Sequence, residues 1–248
     1  MPILTESKTA PGCAEMLRLA VANGIHRIGE IEIESIDCND RLKQDDDRGI
    51  APFQVNASNN SYKLCHADDA AGGHDLAIHQ GPAAARELAS YAEDGSYRFL
   101  KAQRNLRRGW VMLLESAEDL RLALDQFYPA CVGLWLAQRG GSLEVEHLRS
   151  KLQRQSGMYQ RVRALSDDAL QALVPPTCSP AVPCARRILW QIDAHTPLLP
   201  SAASSDDGIP AEVAATEAIP LLCREACNHF VAECLAAAKA QKPGTGCA

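Results

Sequence analysis

The cysteines are the residues of this sequence whose type and spacing point most directly to chemistry. The chain contains ten, and they come in close pairs at two places. Cys223 and Cys227 are four positions apart in LLCREACNHF, and Cys178 and Cys184 stand in PPTCSPAVPC. Thiolates hold zinc ions and iron–sulfur clusters and carry out redox reactions. These two pairs are therefore the first candidates for a metal or cluster site.

The first pair falls in segment 220–241, which is predicted to form the last helix of the chain. On a helix, residues i and i+4 lie on one face, so Cys223 and Cys227 would project side by side. Cys234 shares that face but lies further along, among apolar residues, and it is interpreted as a core residue. The pair itself would fill the same apolar face if it bound no metal.

The second pair is predicted to lie in a rigid loop. Pro180 and Pro183 stand between Cys178 and Cys184, and proline fixes φ and discourages regular secondary structure. Together the two pairs supply four thiolates, the number that a [4Fe–4S] cluster takes. Zinc would accept the same four in a tetrahedral site. Because the spacing matches neither a bacterial ferredoxin nor a zinc ribbon, a cluster, a zinc site and four buried small side chains all remain open.

A second candidate is the basic stretch FLKAQRNLRRGW, which stands out in a chain of net charge -6. Its cations are Lys101, Arg104, Arg107 and Arg108. Guanidinium groups pair with carboxylates in a bidentate manner, so this patch could hold an anion such as the carboxylates of a tetrapyrrole. The alternative, a solvated charged stretch ahead of a strand, is favoured.

The stretch HADDAAGGHDLAIH offers His66, Asp68, Asp69, His74 and His79 as metal ligands. Their spacing fits no ligand motif, and a polar loop is the favoured interpretation. The sequence also contains no Walker A motif, dinucleotide fingerprint or nucleophile elbow. An enzyme with a conventional nucleophile is therefore not supported.

Composition limits the classes of protein and of partner. With 248 residues, 46% hydrophobic and 23% charged, the chain can hold one large or two small globular domains. Its net negative charge argues against nucleic acids and acidic membrane surfaces as partners. No apolar run reaches the length of a membrane span, and the N-terminus lacks the features of a signal peptide. We expect a cytoplasmic protein, in which disulfides do not form.

Hydrophobic periodicity and turn residues predict the elements that must position these residues. In the first half we expect helices at 12–23, 82–95 and after Ser116, and strands at 26–36, 61–69 and around 110–114. In the second half we expect helices at 132–141, 166–174 and 220–241, with a strand or helical turn at 185–193. Residues 142–157 could start as a strand or form a helix throughout, and the helix is favoured. The prediction is an α+β fold. It has a small mixed or antiparallel sheet in the N-terminal half and a mainly helical C-terminal half.

Several stretches resemble a known family. HRIGEIEI, LKAQRNLRRGW, LRLALDQFYPA, RQSGMY, LSDDALQALVPPTCS, ARRILW and CREACN resemble the C-terminal part of Deinococcus-type CbiX-like cobalamin-biosynthesis (sirohydrochlorin chelatase) proteins. There, chelatase domains are followed by a stabilising domain and a domain that binds a [4Fe–4S] cluster. The resemblance covers most of residues 14–241.

The resemblance implies that Cys178, Cys184, Cys223 and Cys227 are the cluster ligands. It also implies a stabilising-like domain at 10–128 and a cluster-binding domain at 129–248. The sequence begins with the stabilising-like part, so we expect no chelatase activity from this chain alone. The leading hypothesis is an iron–sulfur electron-transfer or accessory protein with a separately encoded chelatase or redox partner. The alternative is a zinc-stapled accessory module of a chelatase with no redox role.

Overall fold

The structure is a computed structural model that describes six stretches of the chain, residues 12–36, 61–72, 75–143, 146–178, 184–192 and 217–240. These residues form eight α-helices and ten β-strands. The helices are α1 Cys13–Ala22, α2 Ala85–Ser90, α3 Ala117–Phe127, α4 Cys131–Arg139, α5 Leu148–Arg154, α6 Met158–Arg163, α7 Asp167–Thr177 and α8 Asn228–Ala240. The strands are β1 Arg27–Ile28, β2 Ile31–Ile36, β3 Ser61–His66, β4 Ala77–Gln80, β5 Trp110–Leu114, β6 Glu146–His147, β7 Arg187–Ile188, β8 Trp190–Gln191, β9 Ala218–Ile219 and β10 Leu222–Cys223. Within these stretches, no helix has both the length and the hydrophobicity that crossing a membrane requires.

A six-stranded mixed sheet dominates the first half, in the order β4-β5-β3-β2-β1-β9. The central strands pair antiparallel, whereas β4 joins β5 and β9 joins β1 in parallel. Ile31 and Ile33 alternate with polar residues on β2 and are buried, because successive side chains on a strand point to opposite faces. The predicted α+β fold with a mixed sheet is confirmed.

The strand expected at 26–36 is a hairpin of β1 and β2, and this corrects the sequence prediction. The chain turns at Gly29, whose φ of +55° lies in the left-handed region. A Cβ on this residue would lie 2.6 Å from the ring of Tyr128, so only glycine fits. The Tyr128 hydroxyl accepts a hydrogen bond from the Glu30 backbone N–H at 2.9 Å. The turn is therefore fixed by a ring from the end of α3.

Helices α1, α2, α3 and α4 pack with this sheet around a first hydrophobic core. The ring of Trp110 on β5 stacks on Phe127 of α3, with centroids 5.1 Å apart. Helix α3 begins as predicted, with the Ser116 hydroxyl accepting from the Asp119 N–H at 3.1 Å, which is a typical N-cap. The core also takes buried residues from α4 and from the C-terminal part of the chain, among them Val132, Trp135, Ile219, Leu221 and Leu222.

The second half is mainly helical, as expected. Helices α5 to α8 surround a second core, with short parallel strand pairs β6–β8 and β7–β10 beside it. Its buried residues are Leu148, Leu152, Val162, Leu170, Val174, Ile188, Ile192, Ala226, Phe230, Val231 and Cys234. The domain boundary near residue 128 stays a prediction.

Three helices are shorter than the sequence suggests. The helix expected at 142–157 is α5, Leu148–Arg154, and strand β6 precedes it. The last helix begins at Asn228 instead of 220, because Leu222 and Cys223 pair in parallel with β7. Helix α2 ends at Ser90 instead of continuing to Gly95, where the chain turns with φ +79°. Apolar residues at helical spacing also suit a short buried strand, and tertiary pairing selects the strand at 222–223.

The segment that follows α2 is held by a buried arginine. Arg98 is 2% exposed and donates hydrogen bonds to four acceptors between residues 89 and 105. They are the carbonyl oxygens of Ala89 at 3.3 Å, Lys101 at 2.9 Å and Gln103 at 2.6 Å, and Oδ1 of Asn105 at 2.9 Å. A guanidinium carries five N–H donors in a rigid fork, so one side chain organises the whole of segment 91–109.

Candidate metal centre

The paired cysteines come together from separate elements at the junction of the two cores. Cys178 follows the last residue of α7, Cys223 ends β10, and Cys227 directly precedes α8. Cys184 forms an isolated antiparallel bridge with Gln103, in the segment that Arg98 organises. The prediction that Cys223 and Cys227 share one helix face is wrong, although both still belong to the same neighbourhood.

Cys227 takes the N-terminal capping position of α8. Its Sγ accepts a hydrogen bond from the Phe230 N–H at 3.5 Å, and its carbonyl oxygen accepts from the Val231 N–H at 3.0 Å. The thiol is half-buried. The N-terminus of a helix carries partial positive charge, so the sulfur lies where a thiolate is stabilised.

Cys223 is more deeply buried, with 8% of its surface exposed. Its Sγ accepts a hydrogen bond from the Glu225 N–H at 3.4 Å. Burial raises the pKa of this thiol, and the hydrogen bond from Glu225 opposes the rise. Backbone N–H groups that point at ligand sulfurs are among the features that tune the potential of iron–sulfur clusters.

Cys184 ties the site to the first half of the chain. Besides its bridge with Gln103, the adjoining Ala185 N–H donates to the Ala102 carbonyl oxygen at 3.0 Å. Cys184 is 6% exposed, and burial raises the pKa of its thiol. Backbone contacts between segments that are far apart in sequence therefore fix the position of Cys184.

Cys178 shows that the thiols share one environment. Its backbone N–H caps α7 by donating to the Val174 carbonyl oxygen at 2.7 Å. Burial raises the pKa of its thiol, and the thiols of Cys227, Cys184, Cys223 and Cys234 raise it further. Charges influence one another in this way only at short range inside a protein, so Cys178 lies within electrostatic reach of the three other paired cysteines and of Cys234.

Two further cysteines border this group. Cys234 on α8 is fully buried in the second core, and burial raises the pKa of its thiol to about 12. Cys131 at the start of α4 is also fully buried, and its Sγ donates to the Leu222 carbonyl oxygen at 3.7 Å. Burial raises its pKa to about 11, and Cys223 adds to the rise.

The donor set suits an iron–sulfur cluster. All four thiols are buried or half-buried, two of them accept backbone N–H groups, and thiolates are the ligands that such clusters use. Among the described residues, no group of three or more His, Cys, Asp or Glu side chains is placed to hold a metal ion. Of the remaining cysteines, Cys13 is exposed and Cys65 is buried on β3, while Cys38 and Cys247 lie outside the described residues.

The four cations of the predicted anion patch have different partners. Lys101 Nζ donates to the Gln126 carbonyl oxygen at 2.9 Å, and Arg108 Nε donates to Glu93 Oε2 at 2.7 Å. Arg104 and Arg107 are exposed. The patch stays a prediction, and at least Lys101 and Arg108 are engaged within the protein.

The histidine-containing stretch has structural roles. His66 Nδ1 accepts from the Asp68 N–H at 3.1 Å, and Asp69 Oδ2 accepts from the Gly109 N–H at 2.7 Å. His79 lies on β4, and His74 lies outside the described residues. These contacts agree with the polar-loop interpretation for His66, Asp68 and Asp69.

Sequence reasoning missed two arginines beside the site. Arg98 organises the segment that contacts Cys184, and Arg186 follows that cysteine by two positions. The sequence does point to Arg186, because side chains two positions apart lie on one face of an extended segment, and Arg186 is two positions from Cys184. For Arg98 there was no signal, because nothing in the sequence marks an arginine as buried.

Two family models match consecutive parts of the chain. Residues 38–139 match the DR2241 stabilising domain, and residues 140–235 match the 4Fe-4S iron–sulfur cluster binding domain. The second match spans both cysteine pairs and indicates a [4Fe–4S] cluster as the cofactor. A search of curated proteins found no match.

A solved structure with a similar fold is DR2241 from Deinococcus radiodurans. It is described as a multi-domain protein with structural similarity to chelatases and with two additional novel domains. The two proteins are 24% identical with a TM-score of 0.62, and the match covers 92% of this chain but 42% of DR2241. The chain thus spans less than half the length of this relative, and at this identity the likeness shows the fold.

These matches confirm the resemblance seen in the sequence. The two models follow one another along the chain in the order that the resemblance implies, the stabilising domain first and the cluster-binding domain second.

Proposed function

We propose that Cys178, Cys184, Cys223 and Cys227 ligate one [4Fe–4S] cluster. The observation that carries this assignment is the match of residues 140–235 to the 4Fe-4S cluster binding domain, because that stretch contains both cysteine pairs. Cys234 and Cys131 remain outside the proposed ligand set. Cys234 is fully buried as a side chain of the second core, and Cys131 lies outside residues 140–235.

The proposed role is that of an electron-transfer or accessory component. Four cysteine ligands leave no iron open to a substrate, so the site itself does not act as a Lewis acid. Hydrogen bonds from the Glu225 and Phe230 N–H groups to ligand sulfurs would stabilise negative charge on the sulfurs and favour the reduced state.

The proposed setting is metal insertion into a tetrapyrrole, in the cytoplasm. It is supported by the fold shared with DR2241, which is described as similar to chelatases. The partner would be a chelatase-like protein or a redox protein. The exposed Arg104 and Arg107, with Lys101 and Arg108 beside them, are proposed as the surface that meets the carboxylates of the tetrapyrrole.

Protein purified without oxygen tests the cofactor. We expect a brown sample with a broad absorption band that dithionite bleaches, together with about four iron and four sulfide per chain. A colourless protein with one zinc per chain would instead support the zinc-stapled module and refute the cluster.

Serine variants test the ligands. Cys178→Ser and Cys227→Ser should lower the iron content and remove the absorption band, whereas Cys13→Ser, at an exposed position on α1, should leave both unchanged. Cys38→Ser and Cys247→Ser should also keep the colour. Loss of the band in Cys234→Ser, with the protein still folded by circular dichroism, would show that the ligand set is assigned wrongly.

A further inference from the structure

We propose that the guanidinium of Arg186 raises the reduction potential of the site by placing a positive charge on the side of the strand that carries Cys184 and Cys223. The inference rests on the proposed function, because it assumes these two cysteines as ligands. It concerns a residue that follows Cys184 by two positions and that neither family match assigns.

The side chain of Arg186 is held in place at the junction of the two cores. Its Nη2 donates to the Pro129 carbonyl oxygen at 3.0 Å. Pro129 precedes Ala130, whose φ of +64° is in the left-handed region, and α4 starts directly afterwards at Cys131. The turn before α4 thus presents a carbonyl oxygen that anchors the arginine.

The strand pairing brings Arg186 to the face of the site. Ile188 lies opposite Cys223 in the parallel pair β7–β10, and paired residues of a parallel ladder share a face. Side chains alternate along an extended segment, so Arg186 lies on the side of Ile188 and Cys223. Its neighbour Arg187 points to the other side and is exposed, whereas Arg186 is half-buried.

Arg186 also contacts Cys184 through its backbone, because its N–H donates a hydrogen bond to the Cys184 thiol. One residue therefore supplies both an N–H group and a cation on this side of the strand.

Arg224 is the other arginine near the site, between Cys223 and Cys227 in sequence, and its charge is paired with a carboxylate. The carboxylate is that of Glu146, which also binds Lys151 Nζ at 2.5 Å. The Arg186 guanidinium differs in that it donates to a neutral carbonyl oxygen, that of Pro129, and within the described part of the chain it forms no ion pair with a carboxylate.

A fixed cation near a cluster changes the redox equilibrium in a defined direction. A cluster with four thiolate ligands is anionic, and one-electron reduction by an external donor adds a negative charge. The attraction between a fixed cation and this charge is largest in the reduced state, because the interaction scales with the product of the charges. Arg186 should therefore favour the reduced form and raise the potential, since charge near a cluster is one of the features that set it.

The test is an anaerobic redox titration of the loaded protein, followed by visible absorption and electron paramagnetic resonance. Arg186→Gln should lower the equilibrium constant for reduction about tenfold, equivalent to about 59 mV for one electron. Arg186→Lys, which keeps the charge, should stay near wild type. Arg187→Gln makes the same change in net charge on the opposite side of the strand and should shift the equilibrium less than twofold.

Each outcome separates this inference from the proposed function. If the wild type binds the cluster and Arg186→Gln and Arg187→Gln have the same reduction potential, the role of Arg186 is overturned. The cluster assignment would still stand. A wild type without iron would refute the proposed function itself. Arg186→Met, a second neutral variant with a long stem, gives the same test if Arg186→Gln does not fold.

Discussion

The sulfur atoms of Cys178 and Cys227 lie at opposite kinds of helix end. Cys227 caps the N-terminus of α8 and accepts an N–H group there, whereas Cys178 follows the C-terminus of α7, where the partial charge is negative. Burial and the neighbouring thiols raise the pKa of Cys178. The two thiols thus lie at helix ends of opposite partial charge. We expect the positive charge of a bound metal to stabilise the thiolate of Cys178 more than that of Cys227.

Arg98 is a second residue with a large structural role, because its hydrogen bonds hold segment 91–109 in place. Arg98→Met would leave its four acceptors without their donor and should lower the free energy of unfolding by about 2–4 kcal/mol, as measured by urea denaturation. Arg107→Met removes an exposed arginine of the same segment and should change stability by less than about 0.5 kcal/mol. Equal effects of the two substitutions would contradict the anchoring role.

Gly29 gives a second prediction. Gly29→Ala introduces a Cβ 2.6 Å from the Tyr128 ring at a φ of +55°, and it should destabilise the protein by about 2–4 kcal/mol. Gly141→Ala has a similar φ of +66° with open space around it and should cost only about 1 kcal/mol. Thermal unfolding of both variants measures the difference. If they melt together, the contact with Tyr128 does not limit residue 29.

Among the elements, α4 begins with a strained residue. Ala130 is the only described residue other than glycine with a positive φ, at +64°, and the left-handed region costs about 1 kcal/mol or more for a residue with a Cβ. Ala130→Gly should therefore stabilise the protein by about 1 kcal/mol. Ala137→Gly, inside the same helix, should destabilise it by about the same amount. Chemical denaturation of both should give shifts of opposite sign.

The sequence predicted most elements of the fold but misjudged those that tertiary pairing controls. Ser116 was correctly identified as a helix cap, because its hydrogen bond is local. Leu222 and Cys223 were assigned to a helix, because the strand they form depends on β7, far away in sequence. The four paired cysteines were found from residue type and the family resemblance, although the helical spacing used to argue for one pair was wrong.

At the scale of the molecule, the site connects the two cores. Cys184 bridges to Gln103 in the first half, Cys223 lies beside Cys131 of α4, and Cys178 and Cys227 pack against the second core. A ligand that binds only the folded state stabilises it, and clusters held by cysteines contribute to folding in the same way as structural metals. Loss of the cluster should therefore weaken both cores together.

Iron removal tests this connection. Chelation under reducing conditions should lower the midpoint of thermal unfolding by about 5–10 °C, since 1 kcal/mol corresponds to about 2–4 °C at this chain length. Trp110 lies in the sheet and is buried in the first core. Its fluorescence should nevertheless report the lowered midpoint of unfolding, because we expect both cores to respond to loss of the cluster. An unchanged Trp110 transition alongside a lowered helical signal would show that the two cores unfold independently of the site.

The pairing of β9 with β1 also has a consequence for how the chain folds. Arg27 and Ile28 lie beside Ala218 and Ile219, nearly the whole length of the described chain apart. Contacts of such large sequence separation give a high contact order and slow folding. During synthesis on the ribosome, the sheet that starts near the N-terminus must therefore wait for its last strand. The same delay applies to Cys223 and Cys227, which follow β9 in the chain, so the cluster site that they are proposed to form is completed only after β9 has been synthesised.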